Sequence, residues 1–222
     1  MPDQERSRYR PSLKRDSTRV QNSSKIEDAA WKVFSTIGLD AAAVRDIVEE
    51  SGISAGTFYN YYGTKEAVFN VLVTRLIARF RQEGRVARAG ASDVETMLER
   101  GYGAFISLVL SIDGAPRFFE VNQHHIRSRL YGADEIRGTL ADLTEEFGRL
   151  AILDGMHETE RRLFISILFS SGVEGMFAAF KDGTASALPI STALARLLAR
   201  GVAGSGAPTY AARRADCQDR EQ

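Results

Sequence analysis

The sequence predicts an all-α protein, in which a small amino-terminal domain of three helices precedes a larger helical bundle. Three observations support this fold class. Apolar residues recur at helical spacing along most of the chain, glycines fall between these segments, and no stretch suggests strands alternating with turns. A chain of 222 residues with 44% hydrophobic content can also bury a sizeable core. The predicted boundaries are a basic leader over 1–22, the small domain over 23–64, the bundle over 65–202 and a frayed tail over 203–222.

The first helix is predicted to follow a disordered leader. Residues 1–22 hold more basic than acidic side chains and almost no apolar ones, which is typical of a chain that does not fold alone. Such an arm either reaches a DNA minor groove or is a solvated tail, and the sequence leaves both interpretations open. Ser23 and Ser24 can cap the helix that follows, and Gly38 closes it. Its apolar face consists of Ile26, Ala30, Phe34 and Ile37.

The second and third helices are predicted to form a helix-turn-helix with its turn at Gly52 and Ile53. Gly52 readily adopts the left-handed conformation that ends a helix, and Ile53 then returns an apolar side chain to the crease between the two helices. Ser54 is a suitable N-cap for a third helix over roughly 55–61. That helix is too short to be stable alone, so it must be held by tertiary packing. The residues expected to pack these helices are Val44, Ile47, Val48, Ser51, Phe58 and Tyr62.

The outward face of the third helix suits a DNA groove. Its small side chains allow close approach, and a helix of this kind enters the major groove by its amino-terminal end, where backbone amides also favour phosphate. Asn60 can bind adenine through two hydrogen bonds, and the methyl group of Thr57 can touch thymine, so both are predicted to read bases. The residues predicted to contact phosphates are Ser54, Thr57, Tyr59, Tyr61 and Lys65.

At these residues the chain resembles the TetR family of bacterial transcriptional repressors. The family usually has Thr or Ser at the position of Ala43; either Asp40 caps the second helix one turn earlier or that phosphate contact is missing. The residues that match the family motif are Val44-Arg45-Asp46-Ile47, Gly52-Ile53-Ser54, Gly56-Thr57-Phe58-Tyr59, Tyr61-Tyr62 and Lys65-Glu66, and residues 29–34 are similar to its first helix. The resemblance implies DNA contacts at Arg45, Ser54, Ala55, Gly56, Thr57, Tyr59, Tyr61 and Lys65.

A long amphipathic helix is predicted to start near Lys65 and to end before Gly90, joining the two domains. Its apolar face repeats over 69–80 at helical spacing. The resemblance implies that this helix moves the DNA-reading domain when a ligand binds. The bundle then continues through further amphipathic helices, with breaks at Gly114, Gly132 and Gly155, and a last helix runs from about 189 to 200.

Three small residues spaced by four, Ser171, Gly175 and Ala179, leave a smooth groove on the helix that spans 163–180. This groove predicts either a two-fold dimer interface, which the resemblance also implies, or a close contact with a helix of the same chain. A dimer suits the reading mode, because two short helices about 34–36 Å apart can read a palindrome on one face of DNA.

The bundle is predicted to hold a small, largely apolar effector. Phenylalanines between 105 and 180 can line an apolar cavity, although phenylalanine at helical spacing is also ordinary core. The segment 118–127 mixes aromatic with polar groups, so it is the predicted place for a carboxylate or acyl group of the effector. The alternative is a DNA-bound adaptor of the same fold that recruits a protein and has no effector. The residues predicted to bind the effector are Phe105, Phe118, Phe119, Asn122, His124, Arg127, Phe147 and Phe164.

Several classes of function are disfavoured. The 29 basic and 29 acidic residues balance, so a nonspecific nucleic-acid coat protein is not expected. No apolar stretch reaches the roughly 20 residues of a membrane span, and the leader lacks the apolar segment of a secretory signal. The single cysteine, Cys217, fits a reducing cytoplasm. His124 and His125 are adjacent and cannot share a metal on one helix. No nucleotide, dinucleotide, zinc or nucleophile motif occurs, so no enzyme, cofactor or metal is expected.

Overall fold

The structure, a computed structural model, describes residues 13–132, 134–183 and 186–203. Helices connected by short turns account for this part of the chain, which contains no strand, so the all-α prediction is confirmed. The helices are α1 Leu13–Ala41, α2 Val44–Ser51, α3 Ala55–Tyr61, α4 Lys65–Arg88, α5 Val94–Leu110, α6 Ala115–Val121, α7 Gln123–Gly132, α8 Asp134–Arg149, α9 Glu158–Lys181 and α10 Leu188–Ala203.

The chain divides into two compact units, and the division falls between Leu72 and Val73, inside α4. The predicted boundary after residue 64 is therefore too early. The reason is that the first two turns of α4 belong to the core of the small unit. Val68 and Phe69 are buried there, and the Phe69 ring meets Phe34 edge to face at 5.5 Å.

Helix α1 begins earlier than predicted. Its first described residue is Leu13, so 13–22 are helical and the disordered leader is wrong over that range; residues 1–12 lie outside the described residues. No glycine or proline lies between residues 13 and 37, so nothing in this stretch interrupts a helix. The sequence predicts that Gly38 closes this helix, but at φ 79° it kinks α1, which continues to Ala41. Ile37 was expected in the apolar face but is 46% exposed, because the kink follows immediately.

The larger unit is a bundle in which α5 packs against α9 and α10, and α8 packs against α9. Its core is built from the facing sides of these four helices. Tyr102 at the centre is buried and donates a hydrogen bond to the carbonyl oxygen of Leu168 at 2.9 Å. The buried residues of this core cluster are Met97, Leu98, Tyr102, Leu143, Phe147, Leu153, Ile165, Leu168 and Ala195.

Helix α9 alone among the described helices is long and apolar enough to cross a membrane by length and composition, with a mean hydropathy of 1.7. The sequence predicts that every apolar stretch is too short to span a membrane, because only uninterrupted apolar runs are counted there. The length and composition of α9 correct this expectation. In the structure 39% of that window is buried in the bundle, and α9 packs against α5, α8 and α10. These contacts are those of a core helix of the bundle.

Candidate DNA-binding surface and ligand cavity

The turn between α2 and α3 has the geometry that the sequence predicts. Gly52 is left-handed at φ 66°, and its N–H donates to the carbonyl oxygen of Val48 at 3.1 Å, which ends α2. Ser54 caps α3: its hydroxyl oxygen accepts from the N–H of Thr57 at 3.1 Å. The two hydroxyls of Ser54 and Thr57 also lie 2.8 Å apart. The cap and the bounds of α3 are therefore confirmed.

A buried ring and a polar cluster hold α3 in place. Phe58 is fully buried, and the ring of Tyr62 lies 6.2 Å from it. The hydroxyl of Tyr62 donates to the carboxylate of Glu27, which also accepts from the hydroxyl of Ser23 at 2.8 Å. Because Glu27 is itself buried, this cluster fixes the end of α3 against α1.

The opposite face of α3 is open. A Cβ added to Gly56 would meet only the hydroxyl of Ser54, at 3.9 Å, so the backbone there can be approached closely. Tyr59 is 58% exposed and its ring stands at right angles to Phe58. Arg45, on α2, is exposed and pairs with Glu49 at 3.6 Å. The predicted DNA contacts that this surface exposes wholly or in part are Arg45, Ser54, Ala55, Gly56, Thr57, Tyr59, Asn60 and Tyr61.

Lys65 has a different role from the predicted phosphate contact. Its ammonium donates to the carbonyl oxygens of Leu39 at 2.8 Å, Asp40 at 3.2 Å and Ala42 at 2.7 Å. These bonds use all three of its donor protons. The positive charge thus caps the carboxyl-terminal end of α1, where unsatisfied carbonyls and the helix dipole favour a cation. Lys65 is therefore excluded from the predicted phosphate contacts. Residue spacing does not reveal its capping role, because Lys65 is far in sequence from the three carbonyl oxygens that it binds.

Replacing Lys65 by Met should lower the free energy of unfolding of the small unit by about 1.5–3 kcal/mol, because three carbonyl oxygens lose their hydrogen bonds to a charged donor. The measurement is chemical unfolding followed by the fluorescence of Trp31, the only tryptophan of the chain, which lies on α1. The matched control is Lys32→Met, since Lys32 is 69% exposed and pairs only at the surface with Glu50. Equal losses in the two variants would contradict the capping role.

The start of α2 resolves the alternative at Ala43. The residue before the helix has no side-chain cap, and instead the carboxylate of Asp46 accepts from the N–H of Ala43 at 2.7 Å. Asp46 lies in the first turn, where a negative charge also suits the helix dipole. The predicted cap at Asp40 is thus unnecessary, and Asp46 supplies half of a capping box.

A cavity of about 120 Å³ lies in the larger unit, with almost entirely apolar walls. One side of α4 contributes Val73, Leu76, Ile77 and Phe80, and the rings of Phe80 and Phe105 meet edge to face at 4.9 Å. The predicted ligand residues that line this cavity are Phe105, Phe118, Phe119, Arg127 and Phe147.

Three predicted ligand residues lie elsewhere. Asn122 is fully buried between α6 and α7, where its amide donates to the carbonyl oxygen of Phe118 at 2.8 Å. His124 is exposed, with its ring 4.0 Å from that of His125, and is not part of the cavity wall. Phe164 packs behind the wall, edge to face with Phe147 at 5.4 Å. The helix break at Asn122 changes which side of the 118–127 segment faces inward, and residue spacing alone does not show this.

Besides the predicted Arg127, the cavity wall includes Tyr102, Arg81 and Arg88, which residue spacing did not indicate. Burial raises the pKa of Tyr102, whose hydroxyl is already bound to Leu168, so this phenol stays neutral. Arg81 and Arg88 of α4 are paired with carboxylates of α8. Arg127 pairs with Glu174 at 2.6 Å and lies over the ring of Phe177 at 5.3 Å.

The small-residue groove of α9 faces the interior. Gly175 and Ala179 are buried, and a Cβ added to Gly175 would lie 2.5 Å from a methyl of Leu194 on α10. Ser171 is half-buried and donates to its own helix at Ile167. The dimer assignment of these three residues is therefore corrected to the alternative, a close contact within the chain. The large apolar side chains that α9 and α10 leave exposed are Leu163, Ile167, Leu188 and Leu197. Leu163, Ile167 and Leu197 point away from the buried sides of their helices, and we call these three residues the outer face.

A short helix capped after a glycine turn, with its far side exposed, is the recognition element of the helix-turn-helix class of DNA-binding proteins. Residues 26–72 of this chain match the family model described as bacterial regulatory proteins, tetR family. These residues therefore form a DNA-binding domain of the TetR family.

Curated relatives agree with this assignment. The chain is 35% identical over 75 residues to the uncharacterized HTH-type transcriptional regulator YvdT of Bacillus subtilis (strain 168), covering 34% of this chain and 39% of that protein. It is 24% identical over 154 residues to the HTH-type transcriptional repressor KstR2 of Mycobacterium tuberculosis, covering 68% and 66%. The matches thus span less than two thirds of these relatives.

Solved structures share the fold over more of their length. The transcriptional regulator FadR from Bacillus subtilis, solved in complex with stearoyl-CoA, is 19% identical with a TM-score of 0.67, covering 80% of this chain and 98% of that one. The fatty acid degradation regulator FadR from Bacillus halodurans is 22% identical with a TM-score of 0.65, covering 84% and 97%. At these identities the likeness establishes the fold.

Proposed function

We propose that this protein is a homodimeric repressor that binds a palindromic operator in the cytoplasm and is released by a long-chain acyl-CoA. The observation that carries the proposal is the double role of α4. Its first residue, Lys65, caps α1 in the small unit, and its later turns form a wall of the apolar cavity. A ligand that moves this wall therefore acts on the same helix that completes the DNA-reading unit.

The roles on DNA follow from exposure and chemistry. Gly56 and Ala55 allow α3 to approach the groove, and Asn60 and Thr57 read bases. Because the Thr57 hydroxyl is held by Ser54, its methyl group is the part offered to thymine. The groups that contact phosphate are those of Arg45, Ser54, Tyr59 and Tyr61.

The effector class is supported by the cavity. Its walls suit an acyl chain, and Arg127 can exchange Glu174 for an anionic or carbonyl group of the ligand. The FadR protein of Bacillus subtilis, which shares this fold, is in complex with stearoyl-CoA. Ligand sites usually hold about 300–1,000 Å³, so a cavity of about 120 Å³ must widen to admit such a chain. The widening is the step that we expect to displace α4 and to change the spacing of the two DNA-reading units.

The dimer is proposed to form through the outer face of α9 and α10. Leu163 and Leu197 are 60% and 71% exposed in the single chain, and a helix-on-helix contact between two copies would bury these apolar side chains. A two-fold axis would bring the same face of two chains together. This surface takes the place of the groove at Ser171, Gly175 and Ala179.

Selection of bound duplexes from a random pool tests the DNA role. We expect a palindrome whose half-sites lie about one helical turn, or a multiple of it, apart. Asn60→Ala should then relax the preference at one base pair of each half-site by about 1–3 kcal/mol, because one bidentate contact is lost. Thr36→Ala, on an exposed part of α1, is the control and should select the same sequence as the unmodified chain. An unchanged preference with Asn60→Ala would remove this residue from base reading.

Heat unfolding with added stearoyl-CoA tests the effector class. A ligand that binds only the folded state stabilises it by about 2.7 kcal/mol at a hundred times its Kd, so the midpoint should rise. Coenzyme A without its acyl chain is the control and should shift the midpoint far less, because the cavity walls are apolar. Equal shifts with the two compounds would contradict an acyl-chain site. If the protein binds the palindrome but no acyl-CoA, the result favours the alternative function, a DNA-bound adaptor that has no effector.

A further inference from the structure

Two ion pairs join α4 to α8 in the larger unit. Arg81 and Arg88 are seven residues apart and so lie on one face of α4; Asp142 and Glu146 are four apart and lie on one face of α8. Arg81 holds Asp142 with both ends of its guanidinium, Nε to Oδ2 at 2.6 Å and Nη2 to Oδ1 at 2.9 Å. Arg88 holds Glu146 in the same manner, with its second contact at 3.4 Å. Two ion pairs thus bridge α4 and α8 side by side.

Glycines make room for both arginines. A Cβ added to Gly138 on α8 would lie 2.6 Å from a guanidinium nitrogen of Arg81, and one added to Gly101 on α5 would lie 3.1 Å from the stem of Arg88. The Arg88 and Glu146 side chains are only 11% and 10% exposed. The Arg81 guanidinium thus occupies the space that a side chain at residue 138 would need, and the stem of Arg88 packs close to Gly101.

These two ion pairs between α4 and α8 can be either formed or broken. The buried Arg88–Glu146 pair is strongly destabilised if it loses one partner, unless the remaining charge regains water or another partner. Arg81 is 40% exposed and Asp142 16%, so the charges of this pair regain water more readily when the bidentate contact breaks. Both arginines also form part of the cavity wall, which has to move to admit a large ligand. At this wall the separated groups can be rehydrated or can meet polar parts of the ligand, whereas the apolar walls gain nothing from separation.

We propose that Arg81–Asp142 and Arg88–Glu146 form a clasp that holds α4 against α8 in the DNA-binding form, and that an effector in the cavity opens it. The proposal rests on the proposed function, and it adds the residues through which the cavity controls α4. Arg81 and Arg88 act as positioning residues, because they set the place of α4 and touch no DNA.

Charge reversal tests the clasp without any effector. Arg81→Asp and Asp142→Arg should each lower the affinity for the selected palindrome by about 5- to 150-fold, the usual range of coupling between sites. The double variant should recover most of the loss, since the pair is restored with its charges exchanged. Arg117→Gln is the control, because Arg117 pairs with Glu120 within the exposed side of α6; it should bind as the unmodified chain does. Affinity is read by fluorescence anisotropy, and folding by circular dichroism.

A glycine pair on α8 tests the same contact should charge reversal prevent folding. Gly138→Ala places a methyl group against Arg81 and should weaken operator binding at least about fivefold, the lower end of that range. Gly148→Ala on the same helix meets no atom within 4 Å and should leave binding unchanged. Spacing between α4 and α8, measured with spin labels at exposed positions of the two helices, should increase when stearoyl-CoA is added.

The outcomes separate this proposal from the function on which it rests. If the unmodified chain binds a palindrome and stearoyl-CoA releases it, while folded single variants and Gly138→Ala bind and respond as it does, the clasp is wrong and the proposed function stands. A double variant no better than its folded single variants also overturns the clasp. If the unmodified chain selects no palindrome, it is the proposed function that fails.

Discussion

Replacing both Ile167 and Leu197 by Arg is expected to give a folded monomer that binds the operator about 10²–10⁴-fold more weakly than the unmodified chain. The loss has this size because two linked DNA-reading units bind a palindrome with an avidity that one unit cannot reach. Ile167 and Leu197 are 46% and 71% exposed in the single chain, so arginine at these positions leaves its core intact. Two pairs of guanidinium groups on a two-fold axis, however, would repel each other across the outer face.

Sedimentation should report the monomer, and anisotropy with the selected duplex should report the weaker binding. Val86→Arg is the matched control, since Val86 is a 69% exposed apolar residue outside the outer face. It should remain dimeric and bind normally. A persistent dimer in the double variant would place the interface elsewhere, and a monomer with undiminished affinity would remove dimerisation from DNA recognition.

The second large effect is expected at Phe58. Replacing it by Ala should cost the small unit about 3–5 kcal/mol, because Phe58 is fully buried and the unit is too small to fill the resulting cavity. Unfolding followed by Trp31 fluorescence should therefore show a lower midpoint, and operator binding should disappear where the small unit is unfolded.

Its neighbour Tyr59 provides the contrast. Tyr59 is 58% exposed on the same helix, so Tyr59→Ala should reduce operator affinity with little change in the unfolding midpoint. The two variants thus separate the inner side of α3, which holds the helix, from its outer side, which is proposed to contact DNA. Similar midpoints for both would show that α3 is not anchored through Phe58.

Local chemistry explains why the turn and the third helix of the small domain were predicted correctly. The end of α2 at Gly52, the cap at Ser54 and the bounds of α3 depend on residues within one or two turns of each other, and sequence spacing reports such contacts directly. Lys65 shows the limit. Its three carbonyl partners come from residues 39–42, so only the packed structure brings them together.

The bundle illustrates two further limits. Small residues spaced by four fit a neighbouring helix equally well whether that helix belongs to the same chain or to another. The sequence around Gly175 therefore could not show that its neighbour is Leu194 of the same chain and not a residue of a partner chain. The cavity depends on the rotation of each helix about its own axis. A single break at Asn122 was enough to turn His124 outward while Arg127 stayed at the wall.

The most direct test of the account is a titration of the dimer bound to its selected, fluorescently labelled palindrome with stearoyl-CoA. We expect two chains per duplex before addition and loss of the DNA complex as the acyl-CoA binds, with coenzyme A alone having little effect. A complex that contains one chain per duplex, or that stays intact while stearoyl-CoA demonstrably occupies the protein, would contradict a dimeric repressor controlled through α4.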